Sequence, residues 1–146
     1  MAAAALLSCG YRFTTAEAPA GVEEIAVRPF QNLSAEPELG AVLAASLRRE
    51  LARRGAAGRG DAAFLDGDVR AFEPVPSTAG AATWRIAVEA RARLVVSGEV
   101  RAERTVRREA DYLAGVDALE TEGRRALAVR RLADEIAGEL LRALGR

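Results

Sequence analysis

The chain has 146 residues, half of them hydrophobic and 29% charged, the profile of one globular domain long enough to bury a core without metal or disulfides. Its 21 basic residues cancel its 21 acidic ones, so a whole-chain electrostatic grip on nucleic acid, which needs a basic excess, is excluded. With no His, no Lys and one Cys, the Ser-His-Asp, Cys-His and Ser-Lys nucleophile arrangements are impossible, as are Cys/His zinc sites.

The amino terminus is Ala- and Leu-rich up to Leu7, followed by Ser8, Cys9 and Gly10. A short apolar run, a small residue and then Cys resembles the lipobox of bacterial lipoproteins. That resemblance implies cleavage before Cys9 and diacylglycerol on its thiol. The run is shorter than the roughly 7–15 residues of a signal core and no positive charge precedes it, as expected if the true start lies upstream. The chain then divides into a truncated signal peptide (1–8), a lipidated linker (9–21) and a single domain (22–146). No other stretch approaches the roughly 20 apolar residues of a membrane helix.

Ile25, Val27 and Phe30 mark a first strand, with Pro29 placing its end at a sheet margin. A helix opens near Pro37, with Leu39, Leu43, Leu47 and Leu51 as its buried stripe. Glu36 and Glu38 at its start and Arg48, Arg49, Arg53 and Arg54 towards its end suit the helix dipole, and Gly55 stops it. The Gly-rich stretch 55–60 leaves a helix and enters a strand, the reverse of a phosphate loop. A second strand covers residues 62–72, with Gly67 in its middle, and residues 73–80 read as a loop on their prolines and glycine.

The clearest signal lies over residues 84–96. Trp84, Ile86, Val88, Ala90, Ala92, Leu94 and Val96 alternate with a mostly polar set, so one sheet face is buried and the other wet. Residues 100 to about 112 return as a fourth strand. Asp117 and Glu120 form a capping box for a last helix that runs to Leu144. Leu119, Ala126, Val129, Leu132, Ala133, Ile136, Leu140 and Leu144 form its apolar face, and Gly123 is a point where it could bend. The order β-α-β-β-β-α gives an α+β two-layer sandwich: two helices on one face of a four-stranded mixed sheet. Leu43, Leu47, Ile136 and Leu140 should pack onto Ile86, Val88 and Leu94.

Charge fixes the register of the third and fourth strands. Pairs whose numbers sum to 196 keep Val100, Ala102 and Val106 inward while setting Arg93 opposite Glu103 and Glu89 opposite Arg107. Ser97, Gly98 and Glu99 then form the loop. Arg85, Arg91 and Arg101 lie on the helix-free face with no carboxylate assigned directly opposite them.

Several pieces, in order, resemble the LPS-assembly lipoprotein family (LptE). Cys9-Gly10-Tyr11-Arg12-Phe13 is similar to that family's lipidated start, and 25–32, ending Pro29-Phe30-Gln31-Asn32, to its first strand. Glu36-Pro37-Glu38-Leu39 is similar to the opening of its first helix, and Leu65-Asp66-Gly67-Asp68-Val69 with Phe72 to its second strand. The resemblance implies a non-enzymatic outer-membrane lipoprotein, anchored through Cys9, without cofactor or metal. It would plug and help assemble the lipopolysaccharide-translocating β-barrel (LptD) and bind lipopolysaccharide during delivery. Its position would be periplasm-facing and within the barrel lumen. Arg85, Arg91 and Arg101 would meet lipid A phosphates or an acidic barrel wall, because a guanidinium fork matches phosphate and carboxylate oxygens.

Three other readings compete. One is a different envelope lipoprotein, such as a secretion, efflux or barrel-assembly subunit, on a similar layer. Another is a carboxylate enzyme using Asp66, Asp68 and Glu73. The last is a nucleic-acid module on Arg101, Arg104, Arg107 and Arg108, which Glu99, Glu103 and Glu109 interrupt and no aromatic platform accompanies.

Overall fold

The computed structural model describes residues 21–78 and 82–146. Cys9 and the lipobox lie outside the described residues. The region expected as a first strand forms two short pieces, β1 (Ala26–Val27) and β2 (Gln31–Asn32). Both run parallel to β3 (Ala63–Ala71), with Ala26 opposite Phe64 but Gln31 opposite Asp68, a one-residue change of register. Pro29 sits at the break, where its missing N–H leaves the ladder nothing to bond. Ile25 bridges Ala57, and both Ile25 and Phe30 are buried in the core.

Helix α1 (Leu39–Arg53) starts two residues after Pro37. Glu38 is its N-cap with φ 55°, and no acidic residue lies in its first turn, which corrects the dipole role expected of Glu36 and Glu38. Glu36 is instead buried and meets Arg125 Nη2 at 2.7 Å, an ion contact that ties the turn before α1 to the second helix. Gly55, at φ 68°, takes the left-handed conformation that ends α1. The loop expected at 73–80 contains a short strand, β4 (Val75–Pro76), paired with the start of β5 (Thr83–Val96).

β3, β5 and β6 (Glu99–Leu113) form an antiparallel meander, with β3 also carrying β1 and β2. From Thr83↔Leu113 to Leu94↔Ala102 every β5–β6 pair sums to 196, as the charges required. Between Leu94 and Val95 the register shifts, so Val95 faces Val100 and Val96 faces Glu99. Arg101 is the extra residue of that bulge. The turn is therefore Ser97-Gly98 alone, at φ 52° and 83°, and Glu99 belongs to the strand. Two positive φ values match the right-handed twist of the flanking strands, which is why a two-residue loop wins over three.

Helix α2 (Ala118–Leu144) is continuous through Gly123 and, at 27 residues, about 40 Å long. The Glu120 N–H donates to Asp117 Oδ1 at 2.8 Å, and the Glu120 carboxylate accepts from the Val116 N–H. The helices lie side by side on one sheet face and run the same way, joined in step by Glu36–Arg125, Ser46–Asp134 and Arg54–Gly138. Leu43, Leu47, Ile136, Leu140, Ile86, Val88 and Leu94 are fully buried in one cluster, as expected. Leu119 is 83% exposed and Ala126 is exposed, so the apolar face of α2 is buried only from Ala128 onward.

Candidate functional site

Alternation in β5 sends Arg85, Ala87, Glu89, Arg91, Arg93 and Val95 to the face the helices leave open. The β3 register sets Asp66, Asp68 and Arg70 opposite Arg93, Arg91 and Glu89, and β6 sets Asp111 opposite Arg85. Each cross-strand pair closes as an ion pair. Arg93 Nε stands 2.9 Å from Asp66 Oδ1, Arg91 Nη2 2.7 Å from Asp68 Oδ2, and Arg70 Nη2 2.7 Å from Glu89 Oε1. Arg85 Nε stands 2.8 Å from Asp111 Oδ1, and Arg107 Nη2 3.3 Å from Glu109 Oε1. Two phenylalanines interrupt this lattice under cationic lids. The Arg28 guanidinium lies 3.4 Å from the Phe64 ring centre, and those of Arg107 and Arg70 lie 4.4 and 4.9 Å from that of Phe72.

This overturns the expectation that Arg85 and Arg91 face no carboxylate. Asp111 and Asp68 hold them, and these bonds push both guanidinium pKa values upward. The Arg85 bond, aided by the Ser77 hydroxyl, holds the Asp111 carboxyl below its ordinary value. Arg101, exposed at the bulge, has no ion-pair partner among the described residues. The structure therefore does not join the three arginines into one cationic patch. Asp66 and Asp68, each bonded to its own arginine, are not poised as an acid–base pair. Arg101, Arg104, Arg107 and Arg108 do not form one stripe either, since Arg107 pairs with Glu109 and Arg108 with Glu139 on α2. No group of three or more potential metal ligands occurs among the described residues.

Sequence periodicity missed a second feature. Where β5 begins and β6 ends, a groove of about 610 Å³ is lined by Thr83, Tyr112, Leu113, Leu127, Arg124 and Arg131. Leu113 and Leu127 are exposed, and so are Val116 and Leu119 at the start of α2. Burial raises the Tyr112 phenol pKa. The available signal was negative: Leu127 and Val116 fall outside both the helix stripe and the strand alternation, so no core position explains them. Arg124 is held at the groove by Glu120 and the Ala114 carbonyl.

A family model described as LptE, lipopolysaccharide-assembly, matches residues 22–144, nearly the whole described chain. The chain belongs to the LptE family. It is thereby an outer-membrane lipoprotein of lipopolysaccharide assembly, a family of transport rather than of catalysis. Solved structures share the LptE-like fold at low identity. A lipoprotein from Caulobacter crescentus superposes with a TM-score of 0.62 at 17% identity, over 80% of this chain and 87% of that one. The rare lipoprotein B from Shewanella oneidensis gives 0.55 at 14%, over 82% and 92%. PelC from Paraburkholderia phytofirmans, solved as a dodecamer, gives 0.61 at 18%, over 88% and 92%. A search of curated proteins found no match.

Proposed function

We propose that this LptE-family protein is anchored to the outer membrane through lipid on Cys9, sits within the lumen of the LptD barrel as a plug, and binds lipopolysaccharide in transit. The observation that carries this reading is the family match across residues 22–144, and the open sheet face supports it. Barrel lumens are polar, and large ones are often filled by a soluble element. A face whose charges are paired within the protein can enter such a lumen with little uncompensated charge. Arg101, without an ion-pair partner among the described residues, is the fork best placed to take a phosphate or an acidic wall residue; Arg85 and Arg91 offer the donors their aspartates leave over. The groove at Leu113 and Leu127, beside Arg124 and Arg131, has the chemistry of an acyl chain lying next to an anionic head group.

A carboxyl-terminally tagged protein pulled from solubilised outer membranes should bring down the barrel. Recovery without it refutes the plug. Cys9→Ala should move the protein to the soluble fraction, and an unmodified thiol in native protein refutes the anchor. Arg85→Ser/Arg91→Ser/Arg101→Ser should weaken lipopolysaccharide binding and flatten its salt dependence. Unchanged binding and salt slope return those residues to an ordinary solvated face.

A further inference from the structure

The sheet has one long edge without a strand beside it among the described residues, the outer side of β6. The opposite side of β3 is covered by β1 and β2, and the start of β5 by β4. The direction of the backbone groups follows from two bonds. Ala114 N–H donates to Ala82 O at 2.7 Å, and Phe72 N–H to Ala87 O at 2.9 Å. Antiparallel pairs alternate between bonded and non-bonded, so even-numbered residues of β5 bond β6 and odd-numbered ones bond β3. In β6 the even residues from Ala102 to Tyr112 consequently face β5. The N–H and C=O of Glu103, Thr105, Arg107, Glu109, Asp111 and Leu113 point outward to the free edge.

An open edge invites any strand, and charged side chains along it are the usual deterrent. Here the deterrent carries a pattern. In an antiparallel match of β6 with its own copy, pairs summing to 212 oppose Glu103 to Glu109 and Arg104 to Arg108. A sum of 214 opposes Arg107 to itself, 208 opposes Arg104 to itself, and 216 opposes Arg108 to itself. A sum of 210 sets Glu103 against Arg107 and Arg101 against Glu109, each twice, with Thr105 on the two-fold axis and Ala102 against Arg108; its like-charged pair, Glu99 with Asp111, falls at the strand ends. The residues that meet in this register are those whose backbone groups point outward.

We propose that β6 is a self-association edge, pairing antiparallel with β6 of a second copy about a two-fold axis at Thr105. This stands apart from the barrel reading and does not depend on it. Sedimentation of the full chain carrying Cys9→Ser, so that no acyl chain contributes, should show a concentration-dependent monomer–dimer equilibrium. Glu103→Arg and Arg107→Glu each turn two attractive contacts into repulsive ones, and each alone should weaken the dimer about tenfold or more. Mixed in equal amounts the two variants again oppose unlike charges, and the heterodimer should form with near-original affinity. Thr105→Pro removes an outward N–H that no strand among the described residues takes up, and should abolish dimerisation with little change in the unfolding midpoint. A monomer at every concentration overturns the proposal. So does a dimer indifferent to the charge variants, or one that mixing fails to restore.

Discussion

Gly67 is the tightest point of the sheet, and its replacement by Ala tests the packing of the two faces together. A Cβ built there lies 1.9 Å from the carbonyl oxygen of Arg91 and 3.0 Å from the Phe30 ring. Both neighbours resist movement. Arg91 O is backbone in the middle of β5, and Phe30 is buried against the core. An ordinary carbon–oxygen contact needs more than 1 Å of extra separation, roughly, and β3 can retreat only by parting from β5. The pairs two residues to either side, Leu65↔Leu94 and Val69↔Ala90, are fully buried, so retreat opens the core as well as the ladder. Gly67→Ala should therefore cost about 3 kcal/mol, the upper end for forcing a methyl group into a packed site. Equilibrium unfolding in urea should show the midpoint falling by about 1–3 M. Gly60→Ala, with open space around its Cβ, is the control and should change stability by less than about 0.5 kcal/mol. A Gly67→Ala midpoint matching that of Gly60→Ala would refute the close-approach argument.

Leu47→Ala and Leu140→Ala, each fully buried between the layers, should each cost about 2–5 kcal/mol in the same assay, and two unchanged midpoints would rule out the two-layer core. Gly123→Ala, exposed in the second turn of α2 with nothing near its Cβ among the described residues, should stabilise by about 0.5–1 kcal/mol, read as a raised melting temperature. Because Arg85 holds the Asp111 carboxyl below its ordinary 3.8, the pair's contribution is present above that value and is lost as pH falls through the lower, folded one. Arg85→Ser should raise the Asp111 titration midpoint followed by carboxyl-carbon NMR, and an unmoved midpoint would show that the bond does not set it.

The strand over 84–96 was legible because its inward positions are apolar at every second residue for thirteen residues, and the 196 register because only that pairing reconciles apolar burial with charge. The same sum sets Asp111 opposite Arg85, so that ion pair was readable from the register alone. Arg91–Asp68 was legible by the same rule, because a β3–β5 sum of 159 sets Asp66, Asp68 and Arg70 opposite Arg93, Arg91 and Glu89, three unlike pairs. The bulge at Arg101 escaped because it comes from the twist that a two-residue turn imposes, not from side-chain chemistry. Leu119 and Ala126 were misplaced because helical periodicity continues past the point where the sheet ends. Glu36 looked like a dipole partner at a helix start, yet Arg125, far off in sequence, is what it meets.

Every cation in the open-face lattice is an arginine, since the chain has no lysine. A guanidinium keeps its proton far into alkali, whereas an ammonium gives it up near pH 10, roughly. The lattice is thus one-sided in its response to solution conditions. Acid can neutralise carboxylates, while no physiological base can silence the cations. Amine-directed acylation has no foothold on the face either. Whatever presses against it, the face offers the same pattern of positive charge, and only its negative half can be switched off.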